Sequence, residues 1–356
     1  MARTSTHPVQ LAERPPRKVI VLGAGLAGLA CAGALAEEGH TVVVFDKGRA
    51  PGGRASTRRE ADGRIFDHGA QFFTARGNWL TSRVAAWARE GVIGAWAPRF
   101  AAPGNDTGGN GETWWVGTPT MGSVAAHLAR GLDVRCGSRV TALGPRASGW
   151  VVSVAGAREH EGASVDHEGD ALVVALPAPQ AAALLGPSSS LTEALGAYEL
   201  EPCWAVMVAL AWPGGQPPPV DLLRSERGPL AWAAREGSKP GRVLPPGEDL
   251  WTVHASAAWS HAHLEDPAEN VTDVLVAALL TQLAELGRLG AEVRLATAHR
   301  WRFARPRIAP RERCLHDRGA ALTLCGDWLE SPRVEGALIS GHAAAEAVLG
   351  DFASVA

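Results

Sequence analysis

Apolar positions in this 356-residue chain fall into several rhythms. From Lys18 to Leu22 and from Thr41 to Phe45 they run unbroken and β-branched, as in strands buried on both faces of a parallel sheet. Between them, Leu26 to Glu38 is a run of small and apolar residues at helical length, stopped by Gly39. Asn78 to Glu90 has helical spacing, with Leu80, Val84, Ala85 and Trp87 on one face. Trp114 to Gly117 reads as a short aromatic strand, and the Gly/Pro/Asn-rich stretch 98–113 before it as a loop. A helix through Arg130 follows, with Ser123 as its N-cap.

Leu132–Cys136 and Arg139–Leu143 predict a strand–turn–strand unit, Trp150–Val154 a further antiparallel strand, and Glu159–Gly169 a polar hairpin loop. Asp170–Leu176 is a buried strand, and Pro177 opens a helix. From Leu191 the rhythm changes. Pro202–Trp212, Pro229–Ala234, Leu250–Ala255 and Ala291–Phe303 predict strands separated by Pro/Gly loops, with an amphipathic helix over Val271–Glu285. Leu322–Cys325 is the last buried strand, Gly326-Asp327-Trp328 follows it, and a final helix runs from about Val334 through Leu349.

This order predicts an α/β fold: a Rossmann-type dinucleotide-binding domain with an inserted antiparallel-sheet α+β domain. The nucleotide domain is expected in three pieces, 17–76, 117–188 and 305–356, and the substrate domain in two, 77–116 and 189–304. Residues 1–16 are expected to be a disordered tail.

Composition narrows the function. A net charge of −3 offers no basic field for nucleic acid or anionic membrane. The five cysteines are scattered without a CxxC pair, so neither a disulfide framework nor a metal site is expected. The N-terminus lacks an apolar signal core and no run is long enough to span a bilayer, so the cytoplasm is the expected location.

The chemistry lies at the first strand. Gly23, Gly25 and Gly28 fill GxGxxG, opening the small-residue helix at Ala24, Leu26 and Ala27. Gly23 makes the turn, Gly25 admits a pyrophosphate, and the first helical N–H groups face it. Asp46, 23 residues beyond Gly23, has the spacing of a ribose-binding carboxylate, with Lys47 beside it. Then come Pro51-Gly52-Gly53-Arg54 and Phe66-Asp67-His68-Gly69-Ala70-Gln71-Phe72-Phe73.

A second glycine pair with Arg54 just past the acid resembles the FAD-binding superfamily that includes the amine oxidases. More specifically, GRASTRR and FDHGAQFFTAR resemble the bacterial renalase family, as do Trp232–Arg235, Ser238–Arg242, Trp251–His254, Trp259-Ser260 and His299–Ala304 in the same order. Glu236-Gly237 departs from that pattern. The resemblance implies a glutathione-reductase-like domain holding non-covalent FAD. Gly53, Arg54, Ala70, Gln71, Phe72, Val140, Gly326, Asp327, Val334, Glu335, Gly336 and Ala337 would join the glycine loop around the cofactor. It also implies oxidation of the 2- and 6-dihydro isomers of NAD(P)H, with electrons passed to O2 to give H2O2.

Such a reaction needs stacking and positioning more than an acid–base pair, because the hydride leaves directly and the product is an aromatic pyridinium. Gln71, Phe72, Trp232, His254 and Trp301 are the substrate-pocket candidates, without an assigned catalytic residue. Lys239, the one lysine beyond the first 47 residues, sits in a Pro-Gly-Arg loop and reads as a solvated surface residue. Cys325 reads as a buried structural thiol. An amine oxidase or desaturase on the same fold is the alternative, and a redox-inactive flavin-binding protein a lesser one. No protein partner is implied.

Overall fold

The computed structural model describes residues 15–101, 111–156, 164–187, 189–213, 217–308 and 310–354. Residues 1–14 of the expected tail, most of the 98–113 loop and the first half of the expected 159–169 loop lie outside these residues.

The two apolar runs form the centre of a six-stranded sheet. Its order is Cys314–Asp317, Leu322–Cys325, Ala171–Val174, Lys18–Leu22, Thr41–Asp46, Asp133–Cys136. All neighbours are parallel except the first pair, in which Cys314–Asp317 closes the edge antiparallel. Ile20 faces Val43 on one side and Leu172 on the other, so the register follows the apolar runs. Side chains then alternate. Val19, Val21, Val42 and Val44 pack against the helices Leu26–Glu37, Asn78–Arg89 and Val334–Ser354, which cover one face. Ile20, Leu22, Val43 and Phe45 pack on the other face against Trp150, Val152, Val154, Ala178 and Trp328. Burial on both faces is why these strands read as continuous apolar runs.

Two expectations beyond this sheet are corrected. Leu132–Cys136 and Arg139–Leu143 do not pair with each other. Asp133–Cys136 extends the parallel sheet, whereas Ser138–Arg146 leaves it and pairs with Gly149–Gly156. Gly137, at φ 70°, turns the chain between sheets in a single residue, too short for a hairpin. The described part of the expected polar loop is a strand, Ser164–Gly169, paired antiparallel with Gly149–Gly156. It reads as polar because it is an edge strand with a largely solvated face.

Ser123 is not the cap of its helix, which spans Gly122–Leu128. Remote side chains satisfy the entry instead: Asp67 Oδ1 accepts the Met121 N–H at 3.0 Å and Thr57 Oγ1 accepts the Gly122 N–H at 3.0 Å.

The second domain is built on a five-stranded antiparallel sheet ordered Leu222–Arg224, Leu230–Arg235, Glu248–Ala255, Leu200–Ala211, Glu292–Pro306. One face buries Val206, Val208, Leu223, Ala233 and Val253 under the helix Ala268–Glu285, whose Val271, Leu275, Leu279 and Leu283 recur every fourth residue. The opposite face carries Trp232, His254, Ala205, His299 and Trp301, and it meets the segment around His68. That junction positions the site.

Candidate functional site

The glycine loop is built for close approach. Gly23 takes φ 103°, and a Cβ at Gly28 would lie 2.0 Å from the Gly23 carbonyl oxygen, so the helix packs tightly against the turn. At Gly25 the space a Cβ would enter is open. The helix Leu26–Glu37 has neither a side-chain cap nor an acid in its first turn, which leaves its leading N–H groups free for an anion. Ala24, just before it, and Leu26 and Ala27, in its first turn, are buried. Gly52 bridges to Gly25, and Gly53 stands against it, adding a second glycine wall. Asp46 closes the turn: its Oδ2 accepts the Ala24 N–H and its Oδ1 the Gly48 N–H, each at 2.6 Å. Lys47 is exposed. Open space before an uncapped helix, walled by two glycine turns, fits the pyrophosphate of FAD.

Arg54 is held by protein rather than left free. Its guanidinium forks onto Asp327 at 2.7 and 3.0 Å and donates to the Ala304 carbonyl at 3.0 Å. The cofactor contact expected of Arg54 therefore meets a fork already filled by Asp327. This pair joins the second glycine loop to the short helix Asp327–Glu330. Ala70 N–H donates to the Arg54 carbonyl at 2.9 Å, so the Ala70-Gln71-Phe72 turn rests on the same loop. Glu335 Oε1 accepts the Arg76 and Gly77 N–H groups at 2.8 and 3.0 Å, fastening the start of the final helix to the chain after that turn. Val334 and Gly336 are buried in this first helical turn, and Ala337 is half-buried. Val140 lies at a register irregularity opposite Val154.

Lys239 overturns its sequence reading. Its side chain is wholly buried, with Nζ 3.0 Å from Gln71 Oε1, 3.0 and 3.1 Å from the two Glu236 oxygens, and 3.6 Å from Asp67 Oδ2. Arg242 pairs with Asp67 and, at 3.3 Å, with Glu236; Thr252 donates to Glu236 at 2.7 Å. Two carboxylates and two cations thus form a neutral, solvent-free cluster. The surface reading failed because a Pro-Gly loop normally faces water, whereas here it folds inward under the Glu248–Ala255 strand. Burial resists ionisation of both acids. At Glu236 the nearby Lys239 and Arg242 outweigh burial and hold the carboxyl below its usual range. At Asp67 burial prevails and the carboxyl is raised.

Gln71 is fixed at both ends. Its oxygen accepts from Lys239, and its amide donates to the Asp67 carbonyl. Phe72 stacks on Trp114 with centroids 3.9 Å apart and on Trp232 at 5.6 Å. Trp232 lies directly across the strands from His254. His254 Nε2 sits 3.2 Å from the His68 carbonyl oxygen, which also accepts from Trp301 Nε1 at 2.9 Å. His68 packs against His299 and Trp301 with centroids 4.8 and 4.9 Å apart. Gln71, Phe72, Trp232, His254 and Trp301 are therefore all at one junction. His68, His299, Trp114 and the charged cluster complete it and were missed; the charges at Asp67, Glu236 and Arg242 give no periodic signal in the sequence.

The imidazoles are held neutral. Burial and the neighbouring His299 and His254 bring the His68 pKa down to about 3, and burial brings His254 to about 4. Burial, with Arg58, lowers His299 too. Among the described residues the buried Trp232 Nε1 and His68 Nδ1 have no hydrogen-bond partner, which leaves two polar atoms unsatisfied at this junction.

The five cysteines are free, and burial raises the thiols of Cys31 and Cys325. Among the described residues no cluster suits a metal ion, and no helix is long and apolar enough to cross a membrane.

Comparison with known proteins agrees with this architecture. Residues 98–349 match the flavin-containing amine oxidoreductase family, and residues 21–86 match the NAD(P)-binding Rossmann-like domain. The fold resembles a protein assigned as a protoporphyrinogen oxidase from Exiguobacterium sp. 255-15, with TM-score 0.68, 13% identity and coverage of 93% of this chain and 98% of the other. It also resembles cyclohexylamine oxidase from Brevibacterium oxydans IH-35A, with TM-score 0.66, 13% identity, and 95% and 100% coverage. In sequence, the 15-cis-phytoene desaturase of Synechococcus elongatus is 41% identical over 64 residues, 18% of this chain and 14% of that enzyme. The shared stretch is thus a small part of the desaturase.

Proposed function

The chain belongs to the flavin-containing amine oxidoreductase family, and within it we propose that this FAD-dependent oxidoreductase removes a hydride from the 2- and 6-dihydro isomers of NAD(P)H. With O2 and one proton, the dihydropyridine is converted to NAD(P)+ and H2O2. FAD bound at the glycine loops supplies the two-electron acceptor. The chain's own residues hold and orient the substrate.

The observation that carries this reading is the state of the lysine and the histidines at the junction. Lys239 is engaged by Gln71 and Glu236, and the histidines are too weakly basic near neutral pH to accept a proton efficiently. Direct hydride loss from a dihydropyridine needs no proton removed from carbon or nitrogen. The aromatic surface of Phe72 and Trp232 suits a planar heterocycle.

The family and the fold neighbours favour a second reading, oxidation of an amine, and the shared stretch with a desaturase points to oxidation of a carbon–carbon bond. Anaerobic mixing of the yellow holoprotein with partially isomerised NADH, pure NADH and a panel of amines separates them. The proposal predicts rapid flavin bleaching by the isomers alone and H2O2 when O2 is admitted. Bleaching by an amine and not by the isomers would establish the second reading.

A further inference from the structure

Arg224 ends the three-residue edge strand Leu222–Arg224, directly opposite Trp232. Trp232 is opposite His254, His254 opposite Ala205, and Ala205 opposite His299. Directly opposed residues share a sheet face, so Arg224, Trp232, His254 and His299 form one row across the surface that meets His68. The Arg224 guanidinium carbon lies 4.9 Å from the Trp232 ring, 5.6 Å from Trp114 and 5.7 Å from Phe100. Among the described residues no carboxylate pairs with it. Asp221, three residues earlier, is occupied by Arg99 at 2.8 Å through both oxygens, with Arg235 at 3.9 Å, and Asp249 is occupied by Arg235. Asp221 and Asp249 are thus neutralised by other arginines, and the Arg224 cation stands over an aromatic surface.

We infer that Arg224 is a specificity residue that binds an anionic group, phosphate or carboxylate, on a substrate whose ring stacks in the Phe72–Trp232 aromatic cluster. This deepens the proposed reaction and rests on it for the identity of the ring. Two strand spacings separate the Arg224 and His254 strands, so the anion stands about 10 Å from the part of the substrate beside His254. Arg supplies a planar fork suited to either oxyanion, and its charge over the rings disfavours a substrate ammonium there.

Calorimetric titration of the FAD-loaded protein tests this with two matched pairs. Nicotinamide mononucleotide and nicotinamide riboside differ by a phosphate; indole-3-propionate and tryptamine exchange a carboxylate for an ammonium. The anionic member of each pair should bind at least about tenfold more tightly, Arg224→Gln should remove that preference, and Arg224→Lys should keep part of it. FAD content and melting temperature report whether the variants remain folded. No preference for the anion in either pair, or a preference unchanged in Arg224→Gln, overturns the inference. If the indole pair shows the Arg224-dependent preference and the nucleotide pair does not, the anion site stands and the dihydropyridine reading falls. If Arg224→Gln oxidises the NADH isomers with unchanged KM, the reaction stands and the role of Arg224 falls.

Discussion

Replacing Lys239 with Met gives the sharpest test of the buried cluster. Met matches the side chain as far as Cε and removes the charged Nζ. Nζ makes three contacts of 3.0–3.1 Å, with Gln71 and both oxygens of Glu236, and lies 3.6 Å from Asp67, in a cluster whose lysine and carboxylate side chains are fully buried. Without it, two buried carboxylates share Arg242 alone. Breaking a buried pair of this kind costs about 3–5 kcal/mol, because the abandoned charge remains away from water. Against a typical total of about 5–15 kcal/mol, that is a large loss. Urea unfolding of the holoprotein, monitored by tryptophan fluorescence, should show the fall in midpoint at unchanged slope. Adding Glu236→Gln to Lys239→Met restores neutrality, so the double variant should be more stable than the sum of the single losses by about 1–3 kcal/mol. A Lys239→Met variant within about 1 kcal/mol of wild type would refute the reasoning, since that is how a solvated lysine behaves.

The remaining predictions follow from geometry and burial. Gly28→Ala should lose FAD and much of the folded population, since its Cβ would meet the Gly23 carbonyl at 2.0 Å, whereas Gly33→Ala, in open space on the same helix, should stabilise by about 0.5–1 kcal/mol; visible absorbance and thermal melts check both. Acid should destabilise through His254. Its pKa drops from 6.5 to about 4 on folding, so the unfolded chain takes up a proton that the folded protein refuses. This part of the stability is fully present above pH 6.5 and is lost as pH falls from 6.5 toward 4. Replacement of His254 by Gln should flatten that limb in denaturant midpoints measured across the range.

Much of the fold was legible because its pattern is strongly periodic. The strands Lys18–Leu22 and Thr41–Asp46, buried on both faces, and the helix between them followed from apolar runs and glycine spacing. The strands of the five-stranded antiparallel sheet likewise alternate between a helix-covered face and the junction. Short edge strands escaped: Leu222–Arg224 and Cys314–Asp317 are only three and four residues long, too short to set up a period, and are fixed by pairing with the next strand, at Ala234 and Cys325. Ser123 misled because the residues that accept the helix-entry N–H groups, Thr57 and Asp67, lie more than fifty residues away. The same limit hid the charged cluster. Each of Asp67, Glu236, Lys239 and Arg242 looks solvated alone, and they become a buried, neutral set only when the two domains meet.

The central claim is hydride removal without a protein base. Its most direct test is the pH dependence of flavin reduction by the 2- and 6-dihydro isomers, followed anaerobically by stopped flow between pH 5.5 and 9. The proposal predicts a saturating rate constant that changes less than about threefold, because the hydride leaves without any proton passing to a protein base. A rate that rises tenfold or more through a single ionisation, above all one abolished in Lys239→Met or His254→Gln, would contradict it and place a proton acceptor in the reaction.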